Sequence, residues 1–500
     1  MRYRGVGSFA SATFVSRIFG LLRESTIAYI LGASNLSDAF YVAFRIPNLF
    51  RDIFAENAVQ SALIPTYFRA REHKREKEFL GATFLFIAGS TLILTILGII
   101  FANVVVTLFA YGFKSDPSKF RLTINLTKIT FPYLWIISFA AFLGGVLNTY
   151  RKFFIPAFAP TFFNLGVIFT AILGYKITGD PLKSLYFIAA GVLAGGLLHS
   201  VFEIPFVLKS GVKIRFSGFR IPEFKSFLKL LSPVFLNTGF TRLTLFVNTL
   251  IASFLKGGSI SYLNFAFRIM QLPIGLFGVG VSTVVNPDIS EKVAKNDDPS
   301  EEIMDGIRLS LFLTLPFLAF FIADAKGIIS LVYQRGHFGQ IALMNTSLAL
   351  IFYSFSIVPN SISKILLSFF FAKNNVSVPN RVFAAGTVIN VAFSILLGFT
   401  IGFSGLALAT SLGSVTQLSM LFFYIRKEMS YKKSDILDLG KILVVNLGLF
   451  FYLLLKIKGT RLDLLIDIIV FPVLYISILS LLKIPEVKRI LHIISTLKST

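Results

Sequence analysis

Residues 8–67 read SFASATFVSRIFGLLRESTIAYILGASNLSDAFYVAFRIPNLFRDIFAENAVQSALIPTY. Two apolar runs, 8–31 and 36–64, are parted by Gly32-Ala33-Ser34-Asn35. Each is long enough to cross the hydrocarbon core of a bilayer, which takes about 20 residues as helix. Four arginines stand inside them: Arg17, Arg23, Arg45 and Arg51. An arginine at the centre of a membrane helix costs roughly 2.5–3.5 kcal/mol on the insertion scale. Helices with that load do not face lipid. They face a polar interior, and the rest of the chain has to supply its other walls.

The remaining sequence repeats the apolar pattern. Hydrophobic residues make up 55% of the 500, charged residues 15%, and mean hydropathy is +0.77. A soluble domain is roughly a quarter charged, so a soluble globular protein is excluded. Apolar runs between breaks rich in Gly, Pro, Asn, Asp, Lys and Arg give fourteen candidate spans: 8–31, 36–64, 79–111, 123–148, 154–175, 185–208, 228–255, 260–287, 307–333, 341–371, 380–400, 403–425, 440–457 and 462–483. No break is long enough to hold a folded soluble domain. The expected fold is an all-α polytopic membrane protein with 14 transmembrane helices.

The net charge of +23 comes from 48 Lys and Arg against 25 Asp and Glu. In a soluble protein such an excess suggests nucleic acid. Here most of it follows the positive-inside rule. With the N-terminus in the cytoplasm, inner breaks hold 29 cations and outer breaks 11, which puts both termini inside. Eight more lie within spans: the four above and Lys128, Arg242, Arg268 and Lys364. Lys128 and Arg242 lie near span ends, where a long side chain reaches the interface.

Internal similarity organises the chain. Ala43-Phe44-Arg45-Ile46 recurs as Ala266-Phe267-Arg268-Ile269, an offset of 223. Ser16-Arg17-Ile18 resembles Thr241-Arg242-Leu243, and Lys152 with Pro156 resembles Lys373 with Pro379. An even number of intervening spans makes the repeats parallel. The expected layout is two six-helix bundles, 1–210 and 211–427, around a central cavity, with two extra helices and a cytoplasmic tail in 428–500. A transporter substrate usually binds between such repeats near the midplane.

The buried charges point to the cargo. Arginine binds phosphate through a planar fork and keeps its charge at any physiological pH. A cluster of arginines in a low-dielectric cavity therefore points to a polyanion, with a diphosphate as the best fit. Glu24, Asp38 and Glu56 are placed to hold arginines until the substrate arrives. A structural network of ion pairs that locks helices together would need the same residues. Catalytic constellations are absent, and there is no P-loop, so no enzyme is expected. The four histidines have no metal-ligand spacing, there is no cysteine, and no cleavable signal peptide is evident. His199, with Glu203 one turn on, reads as a polar helix contact.

Residues 8–67, together with GSISYLNFAFRIMQLPIGLFGVGVSTVV at 258–285, resemble the MurJ (MviN-type) lipid II flippases of the multidrug/oligosaccharidyl-lipid/polysaccharide exporter superfamily. The resemblance implies lipid II as substrate, the undecaprenyl-diphosphate-linked disaccharide-peptide precursor of peptidoglycan, flipped from inner to outer leaflet by alternating access. It implies substrate binding by Arg17, Arg23, Asp38, Arg51 and Arg268, with gating or ion-pair roles for Glu24, Arg45 and Glu56. The last two spans would hold the isoprenoid tail. The family's Gly-Glu-Gly stretch reads Ala55-Glu56-Asn57 here, which loses the flanking glycines of a hinge. Some relatives bind sodium through carboxylates; the matching positions are Asn248, Asn390 and Ser394, with Thr410 nearby, all neutral. A monovalent cation on those oxygens is the one cofactor implied. The expected setting is the bacterial cytoplasmic (inner) membrane, in peptidoglycan biosynthesis and cell-shape maintenance. Membrane lipids and cell-wall synthesis enzymes are the expected partners, nucleic acid is not, and the chain would act as a monomer. The alternative is a flippase for another polyprenyl-diphosphate-linked glycan, such as an O-antigen or capsule unit.

Overall fold

The computed structural model describes residues 2–52, 57–456 and 461–487, with side chains left aside at 2–10, 57–58, 232–241, 461–465 and 469. The described residues are predominantly helical, with no strand among them. The chain divides into two compact units. The first covers residues 1–264 and 335–342, the second residues 265–334 and 343–500.

The first unit holds α1 (Arg2–Leu31), α2 (Asn35–Arg51), α3 (Asn57–Glu72), α4 (Glu76–Ile100), α5 (Ala102–Phe109), α6 (Pro117–Thr130), α7 (Tyr133–Thr149), α8 (Phe154–Phe158), α9 (Pro160–Thr178), α10 (Pro181–Lys209) and α11 (Pro222–Ser253). The division falls inside α12 (Ser259–Pro273), between Asn264 and Phe265. The second unit continues with α13 (Val279–Ala294), α14 (Ser300–Ala323), α15 (Ala325–Tyr333), α16 (Gln340–Ser354), α17 (Ile357–Ala372), α18 (Ser377–Ile401), α19 (Phe403–Ile425), α20 (Lys433–Leu455) and α21 (Arg461–Leu481).

Ten helical segments are long and apolar enough to cross a membrane, against the fourteen spans read from the sequence. This count is of the described residues alone. Helices α1 to α3 are missing from the ten, and α1 and α2 carry Arg17, Arg23, Glu24, Asp38, Arg45 and Arg51, charges that length and hydropathy alone discount. Within their described residues, α11 and α21 contribute the apolar stretches Arg242–Ser253 and Ile466–Leu481.

Local chemistry sets the helix ends. Ser34 caps α2, its hydroxyl accepting from the Leu36 N–H at 3.2 Å, while Ser37 Oγ accepts from the Ser34 N–H at 2.8 Å. Asp116 caps α6 by accepting from the Ser118 and Lys119 N–H groups, with Pro117 at the first helical position. Such caps satisfy donors that helix geometry leaves unpaired. Pro47 lies inside α2 and has no N–H to give the Ala43 carbonyl. Thr130 of α6 donates its hydroxyl to that oxygen at 3.0 Å. An unpaired carbonyl is costly at membrane depth, so this contact lets α2 run through its proline. Helices α9 and α10 pack closely because a Cβ on Gly166 would lie 2.6 Å from Gly195 Cα, the small-residue contact common between membrane helices.

In the second unit, α12 is followed by one wide π-turn, Ile274–Gly278, where the sequence places Pro273, Gly275 and Gly278. Helices α20 and α21 pack their apolar faces on α14, with Ile442, Leu449, Phe471 and Tyr475 beside Phe312 and Ala319. Tyr475 donates to the Phe312 carbonyl at 3.0 Å. One cation fixes the end of this packing. Arg308 of α14 is buried and reaches Glu486 through Nε at 2.9 Å, and pairs with Asp435 and Asp305 through its two terminal nitrogens. Sequence reading counted Arg308 among the loop cations; it is instead the hub of a buried network. Nearby, the hydroxyls of Ser300 and Ser430 hold the Asp298 carboxyl below the usual aspartate range. Removing the cation from a buried pair costs about 3–5 kcal/mol because the partner charge stays buried. Arg308→Ala is therefore expected to raise amide hydrogen exchange across 433–455 and 466–481, with α2 and α6 unchanged. Protection equal to wild type in both C-terminal helices would show that the apolar contacts alone hold them.

Candidate functional site

The site residues of the first unit come from α1, α2, α6, α9, α11 and the start of α12. Arg23 is 5% exposed. Its Nη1 donates to Asn164 Oδ1 of α9 at 3.1 Å and its Nη2 to Glu24 Oε1 at 2.5 Å. Its guanidinium lies 5.4 Å from the Phe163 ring centre and 5.8 Å from that of Phe44. Aromatic faces attract a desolvated cation, and the rings fix the plane of the fork. Asn164 in turn donates to the Ser16 carbonyl at 3.2 Å. The other Glu24 oxygen accepts from the Tyr41 hydroxyl at 2.7 Å and from Asn264 Nδ2 at 3.2 Å. The cation on the first Glu24 oxygen is thus its chain neighbour Arg23.

Arg51 forms a second cluster. Its Nη2 and Nε donate to Asp52 Oδ1 at 2.8 and 3.2 Å, and its Nη1 to the Tyr133 hydroxyl at 3.4 Å. The other Asp52 oxygen pairs with Arg242 of α11 at 2.9 Å. One carboxylate thus serves two arginines. Arg45 donates to Thr249 Oγ1 at 2.8 Å, also on α11. Arg17 is half-buried on α1. Glu56 lies outside the described residues.

Asp38 stands apart from the arginines. It is 1% exposed and accepts four hydrogen bonds. Its Oδ2 takes Lys119 Nζ at 2.9 Å and the Gly258 N–H at 2.7 Å; its Oδ1 takes the Ser261 N–H at 2.9 Å and the Ser261 hydroxyl at 2.7 Å. Asp38 thereby caps the first turn of α12 across 220 residues of sequence. Gly258 sits at φ +92°, and a Cβ there would lie 2.7 Å from the Tyr262 ring and 2.8 Å from the Ala33 oxygen. Only glycine brings that N–H onto Asp38. Lys119, read as a loop cation, is buried here and lies 4.0 Å from the Phe113 ring centre. Asp38 and Ser261 also occupy equivalent positions at the 223-residue offset read from the sequence.

Among the described residues, Arg23 pairs with Glu24, Arg51 and Arg242 share Asp52, and Asp38 is taken by Lys119. Lys128 is exposed, as expected of a side chain near a helix end. In the second unit Arg268 is half-buried on α12, between buried Ala266 and Met270. Asn390 and Ser394 are buried on α18, where Ser394 Oγ donates to Asn390 Oδ1 at 3.3 Å. Thr410 on α19 donates to the Leu406 carbonyl. Asn248 is half-buried on α11 of the first unit. Among the described residues no group of three or more His, Asp or Glu side chains is placed to hold a metal ion.

Comparison with known proteins follows this geometry. Residues 27–465 match the family model described as lipid II flippase MurJ. A Burkholderia cenocepacia protein named lipid II flippase MurJ is 32% identical over 445 residues, covering 86% of this chain and 85% of that protein. A solved lipid II flippase MurJ in an inward closed conformation superposes with a TM-score of 0.83 at 29% identity, covering 95% of this chain and 98% of that one. An inward-facing multidrug MATE transporter of the MOP superfamily shares the fold, with a TM-score of 0.65 at 17% identity, covering 84% of this chain and 97% of that one.

Proposed function

From the premise that the chain belongs to the lipid II flippase MurJ family, we propose that it moves lipid II from the inner to the outer leaflet of a bacterial cytoplasmic membrane by alternating access. The observation that carries the mechanism is the buried Arg23 guanidinium, held by Glu24 and Asn164 beside the Phe163 and Phe44 rings, with Arg51 of α2 and Arg242 of α11 meeting on Asp52. Guanidinium forks suit a diphosphate, and Arg17, Arg23, Arg51 and Arg268 are the residues we assign to it. Glu24 and Asp52 hold two of the forks in the empty state.

The same reading makes fourteen spans in two parallel six-helix bundles, with both termini cytoplasmic and the α20–α21 pair forming a groove for the isoprenoid tail. On this topology the Asp38–Ser261–Gly258 junction is at the outer end. It acts as the outer latch, closed while the cavity is open inward. The deciding experiment follows leaflet accessibility of lipid II in cells whose sole candidate flippase is this chain. Depletion should trap lipid II in the inner leaflet, and unchanged outer-leaflet labelling would overturn the assignment.

The energy source we propose is the membrane potential. Each charge carried across 100 mV is worth about 2.3 kcal/mol, and an empty, positively charged cavity is drawn back inward. The neutral oxygens of Asn248, Asn390, Ser394 and Thr410 offer a monovalent cation no countercharge, so sodium serves at most as a weak ligand there. In proteoliposomes, dissipating an inside-negative potential should slow flipping severalfold while replacing sodium by potassium leaves it unchanged. A rate indifferent to potential would remove this energy source.

A further inference from the structure

One intramembrane cation has no part in the diphosphate reading. Lys364 lies on α17, eight residues or about 12 Å of rise from the helix end at Ala372. It lines a cavity of about 530 Å³ within the second unit, inside the usual size range of small-ligand pockets. Two polar stripes meet there. Ser282, Asn286 and Ser290 recur every four residues on α13, and Lys364 and Ser368 do so on α17, with Phe371 as an apolar wall. Polar side chains at such depth are costly against lipid and commonly mark a pathway.

The donor and acceptor inventory narrows the ligand. Lys364 supplies positive charge and N–H donors. The hydroxyls of Ser282 and Ser368 already donate to the Val279 and Ile365 carbonyls, at 2.9 and 2.6 Å, so they offer lone pairs to the cavity. Asn286 Oδ1 is buried and has no hydrogen-bond partner. The cavity therefore offers an ammonium to an anion and an unmet oxygen to an N–H donor, and one ligand can use both. A phosphate group brings only acceptors and leaves Asn286 unmet. A peptide brings both, a carboxylate beside amide N–H groups. Lysine suits this, since a compact ammonium pairs with a single carboxylate and does not need the two-oxygen geometry that arginine takes on phosphate.

We propose that this cavity is a subsite for the peptide of lipid II, with Lys364 pairing a peptide carboxylate and Asn286 Oδ1 accepting a peptide N–H. The proposal rests on the lipid II reading above and extends it to the second unit. Diphosphate and peptide are then read by separate chemistries on separate helices, forks for one and an ammonium with an amide acceptor for the other.

The test measures binding of three probes to the full-length protein in nanodiscs: lipid II with free peptide carboxylates, lipid II with those carboxylates amidated, and the undecaprenyl-diphosphate disaccharide without peptide. Wild type should favour the free-carboxylate form over the amidated one by about tenfold, the scale of a charge-assisted hydrogen bond. Lys364→Met should abolish that preference and leave the peptide-free probe bound as before. Asn286→Leu should weaken both peptide-bearing probes severalfold and spare the peptide-free one. Variants that keep the wild-type ratios overturn the subsite and leave the flippase reading standing. Wild type binding none of the three overturns both. A Lys364→Met effect that depends on phosphatidylglycerol content and not on the probe would assign the cavity to a phospholipid, and that also overturns the proposal.

Discussion

Arg23→Ala is expected to lower lipid II flipping by roughly 100-fold, the loss of charge-assisted contacts worth about 3 kcal/mol. The same change is expected to destabilise the protein by about 3–5 kcal/mol, because Glu24 would remain buried without its cation. The two effects separate in the double variant Arg23→Ala/Glu24→Gln. A neutral amide at position 24 still meets Tyr41 and Asn264 and carries no orphan charge, so unfolding temperature should recover while flipping stays low. Arg23→Lys tests the fork itself. An ammonium keeps the charge but reaches one oxygen at a time, so activity should fall between wild type and Arg23→Ala. The measurements are complementation of a depleted strain, labelling of outer-leaflet lipid II and thermal unfolding in detergent. Restored flipping in the double variant would mean that Arg23 serves only to neutralise Glu24.

Asp38→Ala is expected to produce the largest loss of stability among single changes in the first unit. Four donors lose their acceptor at once, and Lys119, 8% exposed, is left without its carboxylate. Removing one member of a buried pair costs about 3–5 kcal/mol. Asp38→Asn should be milder, since an amide oxygen still accepts from the Ser261 and Gly258 N–H groups. Adding Lys119→Met to Asp38→Ala should return part of the loss by removing the stranded charge. Thermal unfolding of the four proteins reads this directly. An Asp38→Ala protein within about 0.5 kcal/mol of wild type, the range of ordinary surface changes, would show that the junction holds nothing.

These variants also mark what can be read from residues alone. Apolar runs and their breaks locate helices, because burial in lipid leaves no other backbone solution than one with its hydrogen bonds closed internally. Arginine placement in α1 and α2 tells that those helices face protein. Partner choice is another matter. Asp38 meets Lys119 across 81 residues and Ser261 across 223, and spacing along one helix cannot specify either. Arg45 donates to Thr249 of α11 across 204 residues. Lys119 and Arg308 lie in helix-end segments that read as loop, yet both are buried and paired. Tyr41 and Asn264, 223 residues apart, both donate to Glu24. Asp38 likewise meets Ser261, at the same interval.

The junction on Asp38 has a kinetic side. Its four hydrogen bonds close together on one carboxylate, so in the alternating-access cycle proposed above they open together, and the cost of opening enters the turnover rate exponentially at a factor of ten for each ~1.4 kcal/mol. Water must replace every donor at the crest of that step. A tighter junction would give a protein that survives heating better and carries cargo more slowly, so selection for thermostability should keep Asp38, Ser261 and Lys119 and return substitutions that add contacts around them, with reduced throughput. The strength of this one contact is a clock setting as much as a fastening.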